Sequence, residues 1–371
     1  MSVPFNFSNR NCMNSTGMRF FPVMTAPISE QIQNVLAAYA VNPAQVQPVD
    51  TGLINRTYLV TGENGLDYIL QKVNSRFPPE INLDIDIVTR HLEQSGLLTP
   101  RLLPDCRGMV YYREDGQVWR LFSHISGNIH ERLEQPEMAG AAGAMLGRMH
   151  ATLALLDYEL RTSLPVTHDT PRHASHLKNT LTNRLGHVRY ATVKPLGEAI
   201  LARLEQLPPL PAVAARLVHG DPKISNFIFS GDNREVLCMV DFDTLSRMPV
   251  YLELGDALRS WCNPYGEDST AAYFSMAHCR AALEAYACHA GKLLTPEEWL
   301  AVPAATLMIY IELAARFCAD ALNEDYFSWD PQRFSSHSEH SELRARGQFN
   351  AANSLLEQYS SLNEAVNRTL P

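Results

Sequence analysis

Apolar residues recur at helical spacing over 28–39, where Ile32, Val35, Leu36 and Tyr39 line one face and Ser29 is placed to cap the start. The texture then changes to short apolar runs. Residues 49–60 predict strand, turn and strand, Asn64-Gly65 marks a hairpin turn, and residues 68–73 predict a third strand. A helix over 79–95 follows, with Ile81, Ile85, Val88 and Leu92 on its apolar stripe. Two further strands, 108–112 and 118–122, are joined through Asp115-Gly116. Beyond residue 123 the period is helical: one long helix over 136–156 and two more within 171–207. A Pro-rich break at 208–213 precedes a compact strand-loop-strand unit over 215–244, and the chain is helical again nearly to its end. There is no internal repeat, and the Ser/His-rich stretch 334–342 reads as a loop. A small antiparallel sheet followed by a larger helical part is an α+β layout.

Composition narrows the classes. The 371 residues carry Lys+Arg 31 against Asp+Glu 40, a net charge of −9, with 46% hydrophobic and 19% charged residues. That is a soluble globular chain long enough for one large two-lobed unit, and it lacks the basic footprint of a general nucleic-acid binder. The most apolar stretch, 300–317, contains Pro303 and Glu312 and predicts a buried helix rather than a membrane span. Residues 1–26 read as a loosely ordered tail without a secretory signal, and Met18 or Met24 is an alternative start. Seven scattered cysteines without a CxxC suit a reducing cytoplasm. His278-Cys279 and Cys288-His289 invite a zinc reading, but one helix would separate the pairs by nearly three turns, which predicts ordinary helix residues.

The chemistry concentrates in 217–243, LVHGDPKISNFIFSGDNREVLCMVDFD. Its two hairpin strands would bring Asp221, Asn226 and Asp241 to one end of a small sheet. One carboxylate to accept a hydroxyl proton, with an amide and a carboxylate to hold Mg²⁺, is the donor set that phosphoryl transfer from ATP requires. Lys223 places a cation where the migrating group would pass. Each residue alone would be an ordinary turn former. The combined pattern HxDxKxxxN with a strand-end DxD is far more specific.

This pattern resembles the aminoglycoside phosphotransferase and choline kinase superfamily, over nearly all of the chain after residue 27. The resemblance implies a protein-kinase-like fold, with a nucleotide-binding lobe over 27–122 and a helical lobe over 123–371 holding the catalytic loop and substrate site. It implies Asp221 as catalytic base, Asn226 and Asp241 as metal ligands, and His219 as the brace behind the catalytic loop. Asp243 reads either as a ligand of a second metal or as a cap on the following loop. Asp256 matches an acid that hydrogen-bonds the catalytic-loop backbone, a structural role. Four stretches, GLINRTYLV at 52–60, YILQKVN at 68–74, HGDPKISNFIF with VDFDT, and ARFCADALNEDYF at 315–327 with LRARGQF at 343–349, resemble bacterial N-acetylhexosamine 1-kinases. That resemblance implies phosphorylation of a sugar at its anomeric hydroxyl, with Arg316 and Tyr326 gripping the sugar; the other readings are a surface Arg and a packed Tyr.

At the nucleotide end, Gly52 and Asn55 in the turn before the second strand are placed to offer backbone N–H groups and an amide to phosphates. Lys72 is the expected phosphate cation on the third strand, although Gln71, on the opposite strand face, competes for the inward position. A carboxylate partner would come from Glu80, Asp84 or Asp86, unless these only oppose the helix dipole. Competing functions are a kinase of the same fold acting on an aminoglycoside, choline or homoserine, and a non-catalytic ligand-binding regulator. A metal-dependent hydrolase would leave Asn226 and Lys223 without a role. An amine acceptor would draw on Glu267, Asp268, Glu312, Asp320, Glu324 and Asp325.

Overall fold

The computed structural model describes residues 28–49, 54–162 and 168–370. The first helix, α1 (Glu30–Ala38), begins at Ser29, whose hydroxyl accepts from the Ile32 N–H. Strands β1 (Pro43–Val49), β2 (Arg56–Gly62) and β3 (Asp67–Val73) follow, then α2 (Ile81–Gln94), β4 (Tyr112–Glu114) and β5 (Gln117–Ser123). The five strands form one antiparallel sheet in the order β1-β2-β3-β5-β4. The sheet's first strand starts six residues earlier than the apolar pattern predicts, and its fourth is short and falls later.

Alternation along the strands gives the sheet two different faces. Val60, Tyr68, Leu70, Trp119 and Leu121 turn to one side and pack under α1 in a core of their own. Ile69, Val73, Val118 and Phe122 turn to the other side and join the main core with α2 and the helical part.

The helical part contains α3 (Pro136–Leu153), α4 (Thr170–Asn183), α5 (Tyr190–Leu204), α6 (Val250–Trp261), α7 (Met276–Ala290), α8 (Pro296–Asn323), α9 (His337–Glu357) and α10 (Tyr359–Thr369). Short strands β6 (Arg216–Val218), β7 (Phe227–Phe229), β8 (Val236–Met239) and β9 (Ser246–Met248) lie between α5 and α6. Helix α8 is long and apolar enough to cross a membrane, but 78% of its most apolar window is buried inside the protein. A capping box closes its start: Thr295 Oγ1 accepts from the Glu298 N–H, and Glu298 accepts from the Thr295 N–H. His278, Cys279, Cys288 and His289 all lie on α7, and no three His, Cys, Asp or Glu side chains gather as a metal cage among the described residues. After β5 the chain is pinned to the helical part, where Asn128 and Phe229 exchange backbone hydrogen bonds at 2.8 and 2.9 Å. The arrangement is the two-lobed, protein-kinase-like α+β fold.

Candidate active site

Helix α6 is the platform. Glu253, Ser260 and Trp261 stand at i, i+7 and i+8 on one stripe of it, and all three reach the loop over 219–226. The fully buried Glu253 carboxylate accepts from the backbone N–H groups of His219 (3.1 Å) and Gly220 (3.4 Å). Ser260 Oγ accepts from the Ile224 N–H at 3.0 Å, and the Trp261 indole donates to the Pro222 carbonyl at 2.9 Å. Asp256, expected to hold this loop, is turned to Arg259 instead (2.7 Å). The acid that holds the loop is Glu253, one helical turn earlier. Its signal was an acid on the core stripe of an apolar helix.

His219 joins the loop to the strand that delivers Asp241. Its Nε2 donates to the Val240 carbonyl (2.9 Å), which leaves Nδ1 to accept from the Asp221 N–H (3.4 Å). These two bonds fix the neutral Nε2–H tautomer. The Thr244 hydroxyl donates to the His219 carbonyl, and the ring packs on Phe242, 4.9 Å between centroids. Gly220 has φ +87°, and a Cβ there would drive into the Thr244 carbonyl oxygen. Only glycine lets the two loops cross this closely.

Asp221 pairs with Lys223 (2.9 Å), and its carboxylate and main-chain carbonyl accept from Asn226 Nδ2 at 3.2 and 2.8 Å. Burial pushes the Asp221 carboxyl up, but the Lys223 ammonium outweighs it and holds the group below the usual range. Burial likewise opposes the Lys223 charge, and Asp221 and Asp241 together raise its pKa. Asp241 takes the left-handed conformation, φ +67° and ψ +57°, with its side chain open to solvent. Protein packed on its other sides still desolvates the carboxylate. Burial first, then the neighbouring Asp243 charge, raise its pKa against the opposing Lys223. Neither the Asp241 carboxylate nor Asn226 Oδ1 accepts a hydrogen bond among the described residues.

Asp243 is different. It is buried, and its two oxygens receive Arg120 at 2.5 and 2.8 Å and Asn55 Nδ2 at 2.6 Å. Three protein donors take up three of its roughly four lone-pair sites, so its main partner here is the Arg120 guanidinium rather than the metal or loop backbone expected of it. Asn55 is engaged too, accepting from the Asn74 N–H (2.9 Å) instead of facing phosphates. Gly52 lies outside the described residues.

The register of β3 decides the remaining expectation. Lys72 pairs across to Trp119 and Arg56, and its ammonium sits 5.7 Å from the Trp119 ring, on the α1 side of the sheet. Gln71 faces inward and bonds Thr57 and Arg120. The inward cation is Arg120 of β5, which sequence reading missed; its signal was a basic residue sharing a strand face with Val118 and Phe122. None of Glu80, Asp84 and Asp86 partners it. Asp84 accepts from Tyr158, Arg161 and Thr162, Asp86 pairs with Arg90 and Arg101, and Glu80 is exposed.

Arg316 and Tyr326 come together at the end of α8, with the guanidinium donating to the phenol oxygen at 3.2 Å. Arg76 of the sheet lobe lies over the same ring, 5.3 Å from its centroid.

Solved structures share this architecture. An amicoumacin kinase in complex with AMP-PNP, Ca²⁺ and Ami is 17% identical with a TM-score of 0.58, over 87% of this chain and 93% of its own. An aminoglycoside phosphotransferase from Alicyclobacillus acidocaldarius is 16% identical with a TM-score of 0.60, over 91% and 98%. A microcompartment-associated aminopropanol kinase is 16% identical with a TM-score of 0.57, over 90% and 98%. At these identities the likeness is one of fold. A family model described as "Phosphotransferase enzyme family" matches residues 45–291, two-thirds of the sequence and including the loops of Asp221 and Asp241, and the chain belongs to that family.

Proposed function

We propose that this phosphotransferase moves the γ-phosphoryl group of ATP, with Mg²⁺, to the anomeric hydroxyl of an N-acetylhexosamine, giving a sugar 1-phosphate. The observation that carries the transfer is how Asn226 divides its amide. Nδ2 fixes Asp221, while Oδ1 and the carboxylate of Asp241 accept no hydrogen bond from the described residues. Two hard oxygen donors, crowded by like charge, fit a cation that takes few protein ligands and completes its shell with phosphate and water oxygens. When bound, Mg²⁺ supplies neutralisation of the phosphate charge.

The chain's own residues do the rest. Asp221, kept ionised by Lys223, orients the acceptor hydroxyl and takes its proton. Lys223 offers positive charge beside the path of transfer. His219, Glu253 and Asp256 stay structural, since each is consumed by protein contacts.

Two observations support a neutral sugar over an amine. An aromatic ring flanked by guanidinium donors, as at Tyr326 with Arg316 and Arg76, suits a hydroxylated ring. Four of the six acids that an amine would draw on are engaged internally, Glu267 by Arg259, Asp268 by His340, Arg333 and Arg344, Glu312 by His168 and Thr170, and Asp320 by His337 and Ser341, while Glu324 accepts from the Ser338 N–H and Asp325 is exposed.

The test is Mg²⁺·ATP turnover across N-acetylhexosamines, other sugars, aminoglycosides and choline, with the phosphorylated position read by ³¹P NMR. The expected result is an N-acetylhexosamine 1-phosphate, with turnover reduced about a thousandfold in Asp221→Asn. Turnover confined to amines removes the sugar assignment, and an Asp221→Asn enzyme of native rate removes Asp221 as base.

A further inference from the structure

We propose that Arg120 is a positioning residue for phosphoryl transfer: through Asp243 it holds the Asp241 loop against the sheet, in place of the strand-to-helix ion pair expected between β3 and α2. The inference rests on the reading of Asp241 as a metal ligand.

The sheet's inner face supplies no lysine. Gln71 occupies the inward position of β3, and α2 turns the amide of Asn82 toward Arg120 rather than an acid. The guanidinium reaches four oxygens on three residues from this one place. Nε donates to Gln71 Oε1 (2.9 Å), Nη1 to Asn82 Oδ1 (3.3 Å) and Asp243 Oδ1 (2.5 Å), and Nη2 to Asp243 Oδ2 (2.8 Å). The side chains of Arg120 and Asp243 are 1% and 3% exposed, so the pair does not meet solvent or a ligand directly. It acts on what is attached to it.

Asp243 follows Asp241 by two residues, in a single turn (Phe242–Thr244) that begins with Asp241 in the left-handed region. A non-glycine residue keeps that conformation only where its surroundings over-determine it. Behind the turn, Phe242 is buried and packed on His219. In front, Asp243 is clamped in a bidentate fork by Arg120, with Asn55 as a third donor. Both anchors are needed to aim the intervening backbone, and of the two it is Asp243 that is held from the nucleotide lobe. Asn55 ties the same carboxylate to the β2 entry, and its Oδ1 accepts from Asn74 after β3. Three strands of the nucleotide lobe therefore converge on the residue next but one to the proposed metal ligand.

The experiment compares Arg120→Gln, Asp243→Asn and the double variant with wild type and Asp241→Asn. Mg²⁺-dependent ADP binding is measured by calorimetry, melting temperature by scanning, and KM for acceptor by turnover. The double variant removes both buried charges at once, which avoids the uncompensated buried charge that either single variant leaves. The expected result is a melting temperature near wild type for the double variant, but about a tenfold or greater loss of Mg²⁺·ADP affinity, as for other partners behind a metal ligand. Acceptor KM should move by less than about twofold, because the pair lies away from the acceptor. Recovery of Mg²⁺·ADP affinity together with stability overturns the proposal, since it shows a merely structural pair. If Arg120→Gln does not fold, Asn82→Ala and Asn55→Ala loosen the same clamp from its edge, and native affinity in both also overturns it. Unchanged Mg²⁺ dependence in Asp241→Asn instead removes the metal-ligand reading beneath it, so the two failures are told apart.

Discussion

Gly220 shows how one residue couples two loops. Its φ of +87° and the Thr244 carbonyl oxygen opposite leave no room for a side chain. Gly220→Ala is expected to cost at least about 2 kcal/mol of stability, read from urea unfolding, because strain and a backbone clash act together. One position of register separates Lys72 from Gln71, and it reverses their roles. The alternation was legible in YILQKVN, but the face that meets the helical part was not, because apolar residues occupy both faces. Lys72→Met is therefore expected to keep kcat/KM for ATP within about threefold of wild type, where loss of a cation touching phosphate would cost far more. A drop of a hundredfold in steady-state kinetics would place Lys72 at the nucleotide.

Single helices carry the next level. The helical period gave α2 and α3 closely and placed 300–317 inside α8, because each has a sustained apolar stripe, whereas α6 was legible only as part of the helical run after residue 244. The same stripe hid Glu253, since an acid inside it looks like an interruption until the backbone N–H groups it serves are folded beneath it. Helix α9 is docked by charge as well as by its apolar face of Ala345, Ala351, Ala352 and Leu355. Glu342 receives Arg189 and Arg346, while His340 and Arg344 meet Asp268 from the loop before α7. Burial pushes the Asp268 carboxyl up, but the His340 hydrogen bond and Arg344 outweigh it and hold it well below the usual carboxylate range. A depressed folded pKa contributes stability above the unfolded value, near pH 4, and that contribution is lost as pH falls toward the folded value. Melting temperature should thus fall more steeply between about pH 4 and pH 2.5 in wild type than in Asp268→Asn, with a constant gap above about pH 5. Parallel curves over the acid range would show that Asp268 does not dock α9.

Across the whole molecule, the α+β layout and the loops around Asp221 and Asp241 were readable because they are local in sequence. The Arg120–Asp243 clamp and the contact of Arg76 with Tyr326 were not, since each joins residues far apart that only the fold brings together. The C-terminal helices belong to the same body. Asp320, buried on α8, accepts from His337 and Ser341 of α9, so a chain ending before residue 337 would bury an acid without these partners and expose the apolar face of α8. Such a truncation is expected to be insoluble, checked by expression and sedimentation. The distribution of primary amines gives the inward-facing glutamine a practical meaning. The sequence has only five lysines, and Lys72 is the sole one before residue 123. An adenosine derivative bearing an amine-selective electrophile is expected to find no lysine on the cleft side of the sheet, and Lys223, ion-paired and held protonated by Asp221, is expected to react slowly, so an ATP-protected adduct on Lys72 in peptide maps would overturn the orientation of β3 without a crystal.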